Sequence, residues 1–303
     1  MRELNKENIN MMKNDKYIYH IKYDINEVDK LYGLGLLERT IALCLYSGYL
    51  KERKPLSLLI IAPPSSGKSE VLLKFRRNQG VSVVNQGTRY GINKVIASRG
   101  AEVKHLIIPD LSVVLSAHPG IAGDILSLIS IMTEEGIDSI QTYHFSRYFD
   151  PPLKVGLLTA VTQEDFNKRK SRLRKIGFWS RFIPFSYSYD KEVVDKVLTY
   201  VERGESLKME ESRLDLPGLH TKPVDVQCDA KYVHGFRIFI KEQEFKGWEP
   251  RFQKHIRILL KSHALANKRT EVIEEDVMEI MKIVLYLNFN FSLIGQEVGE
   301  DDE

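Results

Sequence analysis

The segment that constrains this chain most is Leu58-Leu59-Ile60-Ile61-Ala62-Pro63-Pro64-Ser65-Ser66-Gly67-Lys68-Ser69, an apolar run that turns abruptly into small residues and then Lys-Ser. A short unbroken apolar run ahead of turn residues reads as a strand buried on both faces. Behind it, Glu70-Val71-Leu72-Leu73-Lys74-Phe75 has helical character. A strand, a small-residue loop and a helix in that order match the pattern G-x-x-x-x-G-K-[ST], with Ala62 in place of the first glycine. That position needs a small side chain more than it needs a positive φ, so alanine serves. The pattern works because small residues let successive backbone N–H groups curl around phosphate oxygens, a lysine neutralises the β and γ phosphates, and a hydroxyl ligates Mg²⁺. Here those groups are the Ala62, Pro63, Pro64, Ser65, Ser66 and Gly67 loop, Lys68 and Ser69, with Glu70 following. The expected ligand is ATP or GTP with Mg²⁺.

Around this element the chain alternates. Gly35 to Tyr49 reads as a helix with Leu36, Leu37, Ile41, Leu45 and Leu50 on one face. Further strands are expected at Val81-Ser82-Val83-Val84, at His105-Leu106-Ile107-Ile108-Pro109-Asp110 and at Val155 to Thr162. Strands separated by helices at this spacing predict an α/β fold, a parallel sheet covered on both faces in αβα layers. Ligands of such sheets gather at the carboxyl ends of the strands, which brings Lys68, Asp110 and Thr162 together.

Beyond about Asp190 the pattern becomes helical, with Val193, Val194, Val197, Leu198 and Val201, then Phe252, Ile256, Leu259 and Leu260, at helical spacing. The expected organisation is a tail over 1–30, a nucleotide-binding core over 31–190, a smaller α-helical lid over 191–295 and an acidic tail over 296–303. Gly204 to Asp229 reads as a loop that packs little of its own. The last helix, Glu274 to Leu287, opens on Glu274-Glu275-Asp276, which suits the positive end of a helix dipole.

Composition excludes several classes. Lys+Arg 44 against Asp+Glu 41 gives a net charge of +3, so nucleic-acid contact must come from local patches. Cys44 and Cys228 lack metal-ligand spacing and read as reduced core residues. No apolar run approaches the roughly 18 residues of a membrane span, and the charged start has no signal-peptide core. A cytoplasmic protein is expected.

Taken together, this order of motifs resembles an AAA+ ATPase, a P-loop NTPase with an αβα core and a helical lid. Several strings resemble the AAA+ core of minichromosome maintenance (MCM) helicases. Leu31-Tyr32-Gly33 and the helix to Leu50 resemble the family's upstream segment. Gly87-Thr88-Arg89-Tyr90-Gly91-Ile92 stands where MCM proteins carry a small-residue string. Ile131 to Ile140 resembles the approach to the presensor hairpin, and Trp179-Ser180-Arg181-Phe182 matches the Ser-Arg-Phe of the arginine finger. No counterpart of the MCM zinc-bearing N-terminal domain is expected within the roughly sixty residues ahead of the loop.

The resemblance implies roles. Asp110 is the Walker B aspartate, which holds Mg²⁺ opposite Ser69. Leu111 stands where AAA+ enzymes carry the water-orienting glutamate, so either hydrolysis is slow or another acid acts, with Glu134 and Glu135 as candidates. Thr162 is the sensor 1 candidate and Thr159 its competitor, either of which fits a strand on propensity alone. Arg181 is the finger that reaches a neighbouring subunit's phosphates, unless it is a structural ion-pair partner. Arg251 takes the sensor 2 position.

Two further features point to nucleic acid. Lys168-Arg169-Lys170-Ser171-Arg172-Leu173-Arg174-Lys175 concentrates six cations, which also suits a solvated helix face. The candidate hairpin Gln141-Thr142-Tyr143-His144-Phe145-Ser146-Arg147-Tyr148 mixes aromatics with Arg147 and His144, as a base-stacking surface does, although aromatic alternation also serves strand packing. The resulting expectation is a self-assembling ring, a homo-oligomer such as a hexamer, that binds ATP and Mg²⁺, hydrolyses ATP and acts on single- or double-stranded DNA through the Arg147 hairpin. The alternative is an ATP-binding regulatory or chaperone-like AAA+ protein with weak hydrolysis and a protein partner.

Overall fold

A computed structural model describes residues 34–52, 54–85, 88–175, 177–189, 191–203, 211–242, 249–284 and 286–287. The expected tails, Leu31-Tyr32-Gly33 and Gly87 lie outside the described residues. The centre is a five-stranded sheet of β1 (Ser57–Ala62), β2 (Val81–Val83), β3 (His105–Ile108), β6 (Gly156–Thr162) and β7 (Phe182–Ser186), with β4 (Ile137–Gln141) and β5 (Ser146–Leu153) forming a separate hairpin. Its order is β2-β3-β6-β1-β7, and every pairing is parallel. The protein is therefore α/β with a parallel sheet.

The strands follow from their composition. β1 and β3 are buried at every residue and β6 at all but its last, as apolar runs in a sheet covered on both faces must be. Side chains alternate between two apolar layers. Leu58, Ile60, Leu158, Ala160, Ile107, Ile183 and Phe185 enter one, whereas Leu59, Ile61, Leu157, Val161, Leu106, Ile108 and Phe182 enter the other. β7 is a strand that periodicity does not suggest, because Pro184 interrupts Phe-Ile-Pro-Phe. It is the last strand of the five-stranded sheet, paired with β1 along its length and joined on its outer side by an isolated bridge from Phe185 to Leu287.

The first layer is covered by α1 (Gly35–Ser47), α2 (Lys68–Lys74) and the C-terminal helices α8 (Ala230–Glu242), α9 (Glu249–Ala266) and α10 (Glu274–Val284). Leu37, Ile41 and Leu45 of α1 share a cluster with Phe252, Ile256 and Leu260 of α9. The C-terminal helices thus pack on the sheet's own core through α1. The second layer is covered by α3 (Arg89–Arg99), the short α4 (Ser112–Leu115), α5 (Pro119–Thr133) and α6 (Gln163–Lys175). In α7 (Lys191–Glu202) the helix is as expected, but Val194 and Leu198 face solvent.

The described part of the 204–229 segment corrects the expectation of a loop that packs little. Leu216 and Val226 are buried. Asn78 pairs with it as a strand would, donating Nδ2 to Ser212 O at 2.7 Å and accepting Leu214 N–H at 2.8 Å. Gln79 Nε2 donates to the carbonyls of Leu216 at 2.7 Å and Pro217 at 2.6 Å. An irregular strap satisfies its backbone through side-chain amides, which no periodicity reveals.

Candidate functional site

The Ala62–Ser69 turn joins the carboxyl end of β1 to α2. Ser65 (φ 55°) and Gly67 (φ 81°) adopt left-handed backbone, the alternation that turns backbone N–H groups into a concave anion cradle. Gly67 is the residue ahead of α2, where the absence of a Cβ removes the cost of this conformation. Lys68 is buried, and its Nζ donates to Ala62 O at 3.0 Å, to Pro63 O, and to Ser66 Oγ at 3.3 Å. Burial pushes its pKa down, while Asp110 and Glu70 nearby work the other way. Pro63 is half-buried, and Pro64, Ser65 and Glu70 are exposed beside it.

The other predicted groups converge here. Thr162, the last residue of β6, pairs in register with Ala62, the last of β1. Asp110 follows β3 on the other side of β6, and Ser69 Oγ donates to Pro109 O at 3.3 Å. Because β6 separates β1 from β3, Lys68 and Asp110 face each other across the end of the strand that carries Thr162. Asp110 is exposed and accepts the Ser112 N–H at 2.8 Å. A serine hydroxyl and a carboxylate are hard oxygen donors, a set that fits Mg²⁺ completed by phosphate oxygens.

Thr162 carries a task that the sequence reading missed. Its hydroxyl donates to Asp165 Oδ2 at 2.9 Å and accepts the Asp165 N–H at 3.1 Å, capping α6. Ser112 and Thr162, with the Arg169 and Lys168 charges, hold the Asp165 carboxyl below its usual range against the opposing effect of desolvation. The signal was present as Thr-x-x-Asp ahead of a helix. Thr159 lies three residues back, fully buried between Leu59 and Ile108, so Thr162 is the threonine at the strand end.

Leu111 is fully buried, its N–H donating to Ala160 O at 2.7 Å and its side chain packed in the second apolar layer. The candidates to replace the glutamate lie elsewhere. Glu134 pairs with Lys54 at 2.9 Å, just ahead of β1, and Met132 O accepts the Val155 N–H at the start of β6. Glu134 and its neighbour Glu135 therefore stand at the amino ends of the strands, away from their own loop. Neither can orient water at that loop.

The same end holds both arginines. Phe182 opens β7 opposite Ser57, the first residue of β1, so Arg181 sits at the amino edge. It donates to Gly177 O, and Ser180 Oγ donates to the same carbonyl at 2.8 Å. Arg251, in the first turn of α9, donates to Ser180 Oγ. Burial alone would raise the Glu134 pKa, but Lys54, Arg251 and Arg181 bring it below the usual range. Buried His255 is pushed down to about 3 by desolvation, with Lys54 and Arg251 adding to the effect. The two half-buried arginines thus lie with Lys54 around Glu134, at the end of the sheet opposite the loop.

The expected hairpin is present as β4 (Ile137–Gln141) and β5 (Ser146–Leu153), antiparallel, with a turn closed by Thr142 N–H to Phe145 O at 2.9 Å. Tyr143 at its tip is 98% exposed and Tyr148 72%. His144 meets the Tyr143 ring edge-on at 5.2 Å. Arg147, expected to contact phosphate, is already engaged. Its guanidinium donates to Ala97 O and to Ser98 O at 3.2 Å at the end of α3, and lies 5.7 Å from the Phe149 ring centroid. It fills the space over Gly100, where an added Cβ would stand 2.4 Å from a guanidinium nitrogen. Arg147 is thus a cation on a helix C-terminus. In the basic string, Lys168 pairs with Glu164 at 2.5 Å and Arg169 reaches Ser116 Oγ at 3.5 Å.

Among the described residues no helix is long and apolar enough to cross a membrane, and no three His, Cys, Asp or Glu residues group as a metal site. No protein-family model matches the chain, and no curated protein matches it.

Proposed function

We propose that this chain binds ATP with Mg²⁺ on the Ala62–Glu70 segment, assembles into a ring, expected as a hexamer, and hydrolyses ATP between subunits as an MCM-like AAA+ ATPase acting on DNA. One observation carries the reading. Lys68, Ser69, Asp110 and Thr162 meet at the carboxyl end of the sheet, while Arg181 and Arg251 share the amino end. A cradle on one edge and two arginines on the other complete each other only when a second copy docks.

The residues divide the work. The cradle N–H groups and Lys68 hold the phosphates, and partial desolvation strengthens the attraction between Lys68 and anionic oxygens. Ser69 and Asp110 would hold Mg²⁺, which supplies charge neutralisation on the phosphate oxygens. Thr162, at the end of the strand between them, would be the contact to the terminal phosphate. A neighbour's Arg181 adds positive charge where negative charge develops, and Arg251 beside it presents a second guanidinium. Tyr143 and His144 at the hairpin tip are the groups that favour unpaired bases.

A second reading has its own observation. With Leu111 packed in the core and Glu134 paired with Lys54 at the far edge, none of the three positions considered for the water-orienting carboxylate supplies one at the loop, which favours a regulatory ATP-binding protein with weak hydrolysis. ATP turnover with and without single-stranded DNA, on material of measured mass, separates the two. DNA-stimulated turnover by a multimer supports the first, whereas tight ATP binding with no turnover in any assembly state supports the second.

A further inference from the structure

Two tyrosines just beyond β7 end on the same atom of the loop. Tyr187 Oη and Tyr189 Oη each donate to Ser66 O at 2.9 Å. A carbonyl oxygen has two lone pairs, and both are taken here. The tyrosines are themselves well anchored. Tyr187 continues the sheet, its N–H donating to Ile61 O at 3.3 Å, and its ring lies against Phe185 at 6.4 Å and Tyr189 at 5.6 Å. A buried tyrosine needs an acceptor somewhere, so Tyr187 alone would say little. Tyr189, however, is half-buried with water within reach of such a position, yet its hydroxyl goes to the same oxygen.

The chosen carbonyl matters because of peptide planarity. In a trans peptide the C=O and the following N–H point in opposite directions. Holding Ser66 O on the tyrosine side therefore holds the Gly67 N–H on the side away from the two hydroxyls. Gly67 has no Cβ to resist a change in the sign of φ, so a flip of this peptide meets little steric cost at that residue. Flipping the Ser66–Gly67 peptide would turn a carbonyl dipole toward the phosphates. We infer that Tyr187 and Tyr189 are positioning residues that lock the Ser66–Gly67 peptide in its anion-binding orientation, so that phosphate affinity is set in part by the segment leading from the sheet into the C-terminal helices. This rests on the reading of the loop as a phosphate site.

The test uses the full chain, with Tyr187→Phe, Tyr189→Phe and the double variant, each retaining ring and volume. Calorimetry measures affinity for ATP with Mg²⁺ and for inorganic tripolyphosphate with Mg²⁺, alongside unfolding of the free protein. Two lost neutral hydrogen bonds predict a loss of about tenfold in the double variant, equal for both probes, because the lost group is part of the phosphate cradle. A role confined to packing would lower the unfolding midpoint and leave affinity well below that midpoint unchanged. Unchanged affinity in a folded double variant, or a loss for ATP that is missing for tripolyphosphate, overturns the inference. Should the double variant not fold, Tyr189→Phe alone carries the test, with about threefold loss expected on both probes. A wild-type chain that binds neither probe overturns the nucleotide reading together with this one, whereas wild-type binding with unaltered variants overturns this one only.

Discussion

Arg181 stands a full strand length from Lys68 of its own chain. β1 begins at Ser57 opposite Phe182, next to Arg181, and ends at Ala62, where the loop carrying Lys68 starts. A strand of 6 residues spans roughly 20 Å. No arginine side chain covers that distance, so any contact between this guanidinium and a nucleotide on Lys68 must cross between copies.

Leu111→Glu is expected to lose stability without gaining rate. The side chain enters an apolar layer, fully buried, and a carboxylate there costs at least about 3 kcal/mol unless it is protonated or expelled. Urea unfolding beside an ATPase assay checks this. A stable variant with faster turnover would show that position 111 faces the nucleotide after all.

Arg147→Ala should leave the salt dependence of DNA binding unchanged, since the guanidinium is spent on Ala97 and Ser98 carbonyls. Its cost appears instead as about 1 kcal/mol of stability. Tyr143→Ala, at the exposed tip, should weaken single-stranded DNA binding by about 1–3 kcal/mol, the usual value of one base stacked on an aromatic ring. Titrations at several salt concentrations distinguish the two. A flatter slope for Arg147→Ala would return that residue to phosphate contact.

Stability should fall with acid from about pH 6.5 downward. His105 and His255 are buried and each is pushed down to about 3, chiefly by desolvation. Unfolding releases them to ordinary values near 6.5. Between those limits the unfolded state binds the extra protons, so stability is intact above pH 6.5 and is lost progressively toward pH 3. Each histidine contributes a slope of about 1.4 kcal/mol per pH unit within the window. Urea midpoints at pH 7.5, 6 and 5 measure it, and His255→Asn should remove one histidine's share. A pH-independent midpoint across that range would contradict the buried, neutral assignment.

The legible parts of this protein are those with local signals. β1, β3 and β6 announce themselves as unbroken apolar runs, and the cradle as small residues ahead of Lys68 and Ser69. Once the parallel sheet is inferred, the meeting of Lys68, Asp110 and Thr162 follows, because strand ends share an edge. What escapes has no period. β7 hides behind Pro184, which interrupts its short apolar run. The 211–228 strap owes its order to Asn78 and Gln79, far away in sequence. The engagement of Arg147 depends on Gly100 leaving space for it, and the tyrosine pair on Ser66 depends on register along β1. A resemblance assigns residues to roles by position, and packing then decides where each side chain goes: Thr162 ends β6 with its hydroxyl on Asp165, Arg181 precedes β7 with its guanidinium on Gly177 O, Leu111 is buried in the second layer and Glu134 pairs with Lys54.

The most direct measurement of the central claim mixes two inactive proteins. Lys68→Ala removes the cation of the cradle and Arg181→Ala removes the guanidinium at the other edge, each expected to lower ATP turnover by on the order of 10³ or more while leaving the fold intact. In mixed assemblies, verified by co-elution of differently tagged chains, some interfaces join an intact cradle to an intact Arg181. Turnover that rises well above the sum of the separate variants is the result this account predicts. Co-assembled mixtures that stay as inactive as their parents would contradict it.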